Sequence, residues 1–175
     1  MKRNKTLIVC EGASMVAMAV VLNFIKVDLG PQGGSVNLVF IPLMVFALRR
    51  GAGWGIGAGV IFGIIKCFMG QGISYGWQSL LLDYAVAYGL VGLAGLTPKH
   101  PVFGCVLGSL GCLASFVLSG VLIWGMYMPE VFWNLPMTNV WVYSLLYNGS
   151  FVMCNGVLAA VAIGLLDKKT RLLHS

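Results

Sequence analysis

Polar and aromatic side chains interrupt the otherwise apolar segments of this chain at a few places. They are the carboxylate Asp83 with its neighbour Tyr84, the indole of Trp124, and the pair Tyr143 and Asn148. A carboxylate or an amide in an apolar medium needs partners, because unpaired polar groups are costly there. Rings that stack, together with an acid and an amide that hydrogen-bond, suit a small, flat, nitrogen-rich molecule. These residue types therefore predict a ligand-binding site.

Two further residues belong to the candidate site by their position. Lys66 lies near the end of the apolar segment that precedes Asp83, and Tyr75 lies in the short loop between the two segments. Ionisable groups inside apolar segments are site candidates by default. Two interpretations stay open for Lys66 and Asp83. They form a buried ion pair that fixes helix packing, or Asp83 binds a polar or cationic ligand.

The segments that must position these residues are those of a membrane protein. Hydrophobic residues make up 59% of the chain and charged residues 9%, with a mean hydropathy of +0.91. We predict an all-α integral membrane protein, one domain over residues 1–175, with six transmembrane helices. The second is short and contains Pro42, so we expect it to be kinked or to cross only part of the hydrocarbon core as regular helix. The six spans cover about 6–25, 36–49, 52–70, 77–96, 101–125 and 139–166.

The distribution of basic residues predicts the orientation. Lysines and arginines precede the first span, follow the last, and occupy alternate loops, as at Arg49 and Arg50. This positive-inside pattern places both termini in the cytoplasm. The outward loops are then 26–35, 71–76 and 126–138, of which the last is the predicted lid. The candidate site residues share a similar depth in the outer half.

Several function classes are disfavoured. No motif for covalent, zinc-dependent or nucleotide-dependent catalysis occurs, so the chain is not expected to be an enzyme. Five scattered cysteines without C-x-x-C spacing and two isolated histidines predict no metal site and no cofactor. The net charge of +6 does not form a basic face with interleaved aromatics, so nucleic acid is not an expected partner.

Small residues recur at four-residue spacing, as at Gly59 and Gly63 or at Gly104 and Gly108. Such stripes let helix backbones approach closely in a membrane. For Ala13 and Ala17 in the first span, docking to a separate membrane protein is an alternative to packing inside the bundle.

The chain resembles the substrate-binding S components of energy-coupling-factor (ECF) vitamin transporters, most closely the thiamine-binding group. The resemblance covers nearly the whole chain and is carried by several segments in order at near-constant spacing. They are Pro31-Gln32-Gly33-Gly34-Ser35, Ile41-Pro42 to Gly51, Gly63 to Gly70, Leu82-Asp83-Tyr84 to Leu96, Gly120 to Trp124, and Tyr143-Ser144-Leu145 to Gly149.

The resemblance implies a vitamin pocket that opens outward in the bacterial cell membrane. It implies partners too: an ECF transmembrane coupling protein and two cytoplasmic ATPases, which supply the ATP hydrolysis. The family's A-x-x-x-A docking motif falls on Ala13 to Ala17. Its binding residues fall on Asp83, where Glu is usual, and on Tyr84, Gly120, Trp124, Tyr143 and Asn148.

The chain departs from the thiamine group in helix five. The group usually has a basic residue and a histidine there, whereas this chain has apolar or small residues around Cys112 and Phe116. It gains Lys66, which would repel a cationic thiazolium at short range. Tyr75 could replace a tyrosine whose place is taken by Ile73. The expected ligand is thus thiamine or a thiamine-like molecule. The rivals are another flat heterocycle on the same fold, an ion-coupled carrier acting alone, and a structural membrane protein without a ligand.

Overall fold

The computed structural model describes residues 5–28, 34–70 and 76–170 of the chain. Its longer helices are α1 Lys5–Asn23, α2 Phe40–Arg50, α3 Ala52–Met69, α4 Trp77–Leu96, α5 Pro101–Leu122 and α6 Val140–Thr170. Its short strands are β1 Lys26–Asp28, β2 Ser35–Asn37, β3 Val131–Phe132 and β4 Leu135–Pro136.

Five of these helices are long and apolar enough to cross a membrane, namely α1, α3, α4, α5 and α6. The chain is therefore a multi-pass membrane protein. The exception, α2, has 11 residues. At a rise of 1.5 Å per residue it spans about 17 Å, against about 30 Å for the hydrocarbon core.

Within the predicted second span, about 36–49, the helix begins later than the hydropathy indicates. Residues 35–37 form strand β2, and the helix starts only at Phe40. These residues pair with β1, and Asn155 on α6 also binds them. Its amide accepts a hydrogen bond from the backbone N–H of Asn37 (2.8 Å) and donates one to the carbonyl of Ser35 (3.1 Å). These bonds favour extended backbone over a helical turn, since they occupy main-chain groups that a helix would use.

Two antiparallel strand pairs lie at or next to the predicted outward loops 26–35 and 126–138. We call each pair a hairpin and their side of the bundle the hairpin end. Strands β1 and β2 pair antiparallel, as do β3 and β4. The turn between β3 and β4 consists of Trp133 and Asn134, both with positive φ (51° and 60°). Two consecutive left-handed residues are typical of the type I′ turn that closes two-residue hairpins.

The glycine stripes pack helices backbone to backbone. Gly59 and Gly63 on α3 lie against the main chain of Tyr88 and Tyr84 on α4, where a Cβ atom would collide. Gly104 and Gly108 on α5 likewise contact α4 carbonyl groups. The predicted close approach is confirmed for both pairs, and it fixes α4 between α3 and α5.

Helix α1 uses a different face for packing than the one that carries Ala13 and Ala17. Its buried residues are Ile8, Gly12, Val16 and Ala19, whereas Ala13 and Ala17 are exposed. Glu11 forms ion pairs with Arg49 and Arg50, the arginines at the end of α2. The described part of the chain thus leaves the Ala13–Ala17 face uncovered.

Candidate ligand-binding site

A cavity of about 230 Å³ lies in the bundle below the hairpins. This volume is below the roughly 300–1,000 Å³ usual for drug-sized ligands, so it suits a small molecule. Its lining mixes aromatic rings with a few polar groups. The lining residues are Gly34, Ser35, Phe40, Lys66, Gly70, Ser79, Asp83, Tyr84, Tyr88, Phe116, Gly120, Trp124, Tyr143, Ser144, Tyr147, Asn148, Phe151 and Asn155.

Asp83 is held by hydrogen bonds to one of its two carboxylate oxygens. Ser79, one turn earlier on α4, donates to Oδ2 at 2.6 Å, and the indole N–H of Trp124 donates to the same oxygen at 3.1 Å. None of the described residues donates to Oδ1. The carboxylate is therefore oriented by the protein and keeps one oxygen for a donor on a ligand.

The backbone that carries Asp83 is not regular α-helix. Residues Leu80–Val86 form a π-helical segment within α4. Such segments are rare, and they occur frequently at functional sites because they redirect side chains. The carbonyl of Leu82 accepts a hydrogen bond of 2.6 Å from the buried hydroxyl of Ser115 on α5. This bond ties the segment to the helix that also ends next to Trp124.

Aromatic side chains of α6 line the same cavity as Asp83. Tyr143, Tyr147 and Phe151 follow each other at four-residue spacing, so they share one helix face. The rings of Tyr143 and Tyr147 stack with their centroids 5.8 Å apart. Phe132, from hairpin β3–β4, packs edge-on against both tyrosines at 5.4 and 5.9 Å. The predicted lid segment thus touches the side chains that line the cavity.

The side-chain amide of Asn148 forms hydrogen bonds to the protein through its nitrogen. Its Nδ2 donates to the carbonyl of Ser144 (2.9 Å) and to the carbonyl of Phe116 (3.3 Å), whereas none of the described residues donates to its Oδ1. Gly120 lies opposite, where a Cβ atom would collide with the Ser144 side chain. The absence of a side chain at Gly120 lets α5 and α6 close around the site.

Lys66 lies at another part of the cavity wall and does not pair with Asp83. Its ammonium donates to the hydroxyl of Tyr88 and lies 4.7 Å from the centroid of that ring. The ion pair between Lys66 and Asp83 that the sequence left open is therefore not formed. Ser79 and Trp124 already hold the carboxylate, and Tyr88, one turn after Tyr84, reaches the lysine first.

The structure brings together seven of the predicted site residues around one cavity: Lys66, Asp83, Tyr84, Gly120, Trp124, Tyr143 and Asn148. The eighth, Tyr75, lies outside the described residues. The lining residues that sequence reasoning missed include Ser79, Tyr88, Tyr147, Phe151 and Asn155. Helical spacing was the signal for them, since each stands four, seven or eight residues from a predicted site residue on the same helix.

The sequence profile described as "Thiamine transporter protein (Thia_YuaJ)" matches residues 9–174. The chain belongs to the thiamine transporter protein family. This confirms the resemblance to the thiamine-binding group of S components that the sequence motifs carried.

Two relatives from this family are similar in length to the chain. The "Thiamine transporter ThiT" of Lacticaseibacillus paracasei is 31% identical over 95% of this chain and 90% of its own length. The protein of the same name from Bacillus subtilis is 30% identical over 95% of this chain and 93% of its own. A solved structure of ThiT from Listeria monocytogenes has the same fold, with a TM-score of 0.84 over 97% of this chain and 98% of that chain, at 24% identity.

Proposed function

We propose that this chain is the substrate-binding S component of an ECF-type importer, with thiamine or a thiamine-like molecule as its ligand. It would span the bacterial cell membrane six times, with both termini in the cytoplasm and the hairpin end outward. Acting alone it would bind its ligand without catalysis. ATP hydrolysis would come from two cytoplasmic ATPases, joined to it through a transmembrane coupling protein.

The observation that carries the proposal is the environment of Asp83. One carboxylate oxygen receives Ser79 and Trp124, and the other points to no described donor inside a cavity walled by Tyr84 and Tyr143. The aminopyrimidine ring of thiamine carries an amine donor on a flat ring, which matches an acceptor between stacking surfaces. We assign Asp83 to accept from that amine, Tyr84 and Trp124 to stack, and Tyr143 and Asn148 to hydrogen-bond.

The test is a titration of the purified protein in detergent with thiamine, followed by intrinsic tryptophan fluorescence. We expect saturable quenching, which Trp124→Ala and Asp83→Asn abolish. Trp141→Ala is the matched control, because Trp141 is exposed on α6 and does not line the cavity. A flat titration of folded protein would reject thiamine as the ligand, and mass spectrometry of co-purified molecules would then identify what binds.

The uncovered face of α1 supports the proposed docking to the coupling protein. Ala13 and Ala17 are exposed and one helical turn apart, so a partner helix could approach the backbone there. We expect Ala13→Leu with Ala17→Leu to abolish co-purification with the coupling protein while thiamine binding is kept. Ala114→Leu, an exposed alanine on α5, is the control. Uptake by vesicles that contain this chain without any ATPase would instead favour an ion-coupled carrier.

A further inference from the structure

The cavity carries two charged side chains of opposite sign at separate places. Asp83 and Lys66 are the charged residues among its described lining, and they form no ion pair with each other. Asp83 offers only acceptor atoms when ionised, and Lys66 offers only donors. A ligand that satisfies both needs a donor at one end and an acceptor at the other.

The part of the cavity lining around Lys66 offers hydrogen-bond donors. The ammonium has three N–H groups, of which one bonds to the hydroxyl oxygen of Tyr88. Among the described residues no other acceptor lies within bonding distance of this ammonium. Because the tyrosine oxygen accepts from Lys66, its own O–H proton is left for a different acceptor.

Aromatic rings surround this donor pair. Tyr88 is 5% exposed, and its ring packs edge-on against Phe62 and Phe116 at 5.0 and 6.2 Å. An ammonium next to such rings has lost part of its hydration, so a counter-charge there gains more than it would in water.

We propose that Lys66 and Tyr88 bind an anionic oxygen, which makes a phosphate monoester of the thiamine-like ligand a better substrate than the free alcohol. This inference rests on the proposed function and names the substrate class of the same site. Thiamine itself carries a thiazolium cation and a neutral hydroxyl, so it offers Lys66 no negative charge. A phosphate ester places about 1.5–2 negative charges and three acceptor oxygens on that hydroxyl.

The test compares thiamine and thiamine monophosphate on the purified full chain, using the fluorescence titration. Charge-assisted hydrogen bonds contribute enough that the monophosphate should bind about 10- to 140-fold more tightly than thiamine. In Lys66→Met this preference should disappear. The monophosphate should bind more weakly, and thiamine should bind more tightly, because a like charge near the thiazolium is gone. Tyr88→Phe, which keeps the ring, should lower the preference in part.

Opposite effects on the two ligands separate recognition from a structural role, since a misfolded cavity would weaken both. Lys99→Met, at an exposed position between α4 and α5, controls for the loss of one positive charge. A third arm adds inorganic phosphate to the thiamine titration. Phosphate that tightens thiamine binding in the parent but not in Lys66→Met would support the same anionic-oxygen site, filled by a separate ion.

Two outcomes would overturn the inference and leave different conclusions about function. If thiamine binds, and Lys66→Met changes both ligands equally or neither, the assignment of the anionic site is wrong while the proposed function stands. If folded protein binds neither thiamine nor its monophosphate, both proposals fail.

Discussion

Replacing Ser115 with alanine is expected to weaken ligand binding, although Ser115 does not line the cavity. Its hydroxyl donates to the carbonyl of Leu82 inside the π-helical segment that carries Asp83. Alanine removes this donor and adds no bulk. The carbonyl must then stay unpaired or the segment must shift, and either outcome disturbs the orientation of the carboxylate.

The structure sets the size of the effect. Ser115 is 2% exposed, so water does not replace the lost bond without a rearrangement. An unpaired buried acceptor costs about 1–3 kcal/mol. If that cost falls on the binding-competent geometry, the dissociation constant for thiamine rises about 5- to 140-fold, since 1.4 kcal/mol is a factor of ten. Ser115→Cys, with a weaker donor of similar shape, should give an intermediate value.

The assay is the fluorescence titration, with thermal unfolding in detergent measured on the same samples. Ser109→Ala is the matched control on the same helix. The Ser109 hydroxyl is buried but has no hydrogen-bond partner among the described residues, so its removal orphans nothing. An affinity for Ser115→Ala equal to that of Ser109→Ala would refute the reasoning.

Three further substitutions test the packing and the site. Gly63→Ala should lower the unfolding temperature, because the added Cβ collides with the α4 backbone and overpacking costs about 1–3 kcal/mol. Gly57→Ala should not lower it, because a Cβ at Gly57 points into open space. Asn155→Leu orphans two backbone groups of β2 and should destabilise the protein by about 2–6 kcal/mol, seen as faster amide hydrogen exchange in that strand. Trp124→Phe keeps a stacking ring but removes the bond to Asp83, so calorimetry should give an affinity between the parent and Trp124→Ala.

Hydropathy and helical spacing predicted much of the bundle, because the length of an apolar run in a membrane is set by the bilayer. The predicted spans 52–70 and 77–96 agree with α3 and α4 within a residue at each end. The beginning of the second span could not be predicted in this way. Strand β2 depends on partners from elsewhere in the chain, among them Asn155, which lies more than 110 residues later and hydrogen-bonds to its backbone.

In the candidate site, too, some features could be predicted from the sequence and others could not. Seven predicted residues meet at one cavity because each motif sits at a fixed depth on its helix. The hydrogen-bond partner of each polar group depends instead on how neighbouring helices are rotated relative to each other. Local sequence patterns do not determine this rotation. Lys66 therefore turned out to contact Tyr88 rather than Asp83, and Trp124 proved to be a hydrogen-bond donor as well as a ring.

Tyr147 connects both hairpins to the same point of α6. Its hydroxyl accepts from the backbone N–H of Gly34, just before β2, and its ring packs against Phe132 of β3. Movement of either hairpin away from the bundle disturbs the contacts of one side chain. We therefore expect the two hairpins to be coupled, so that the rate at which a bound ligand leaves depends on both of them. Tyr147→Phe, which removes the hydrogen bond from Gly34 and keeps the ring beside Phe132, should shorten the time for which a ligand stays bound.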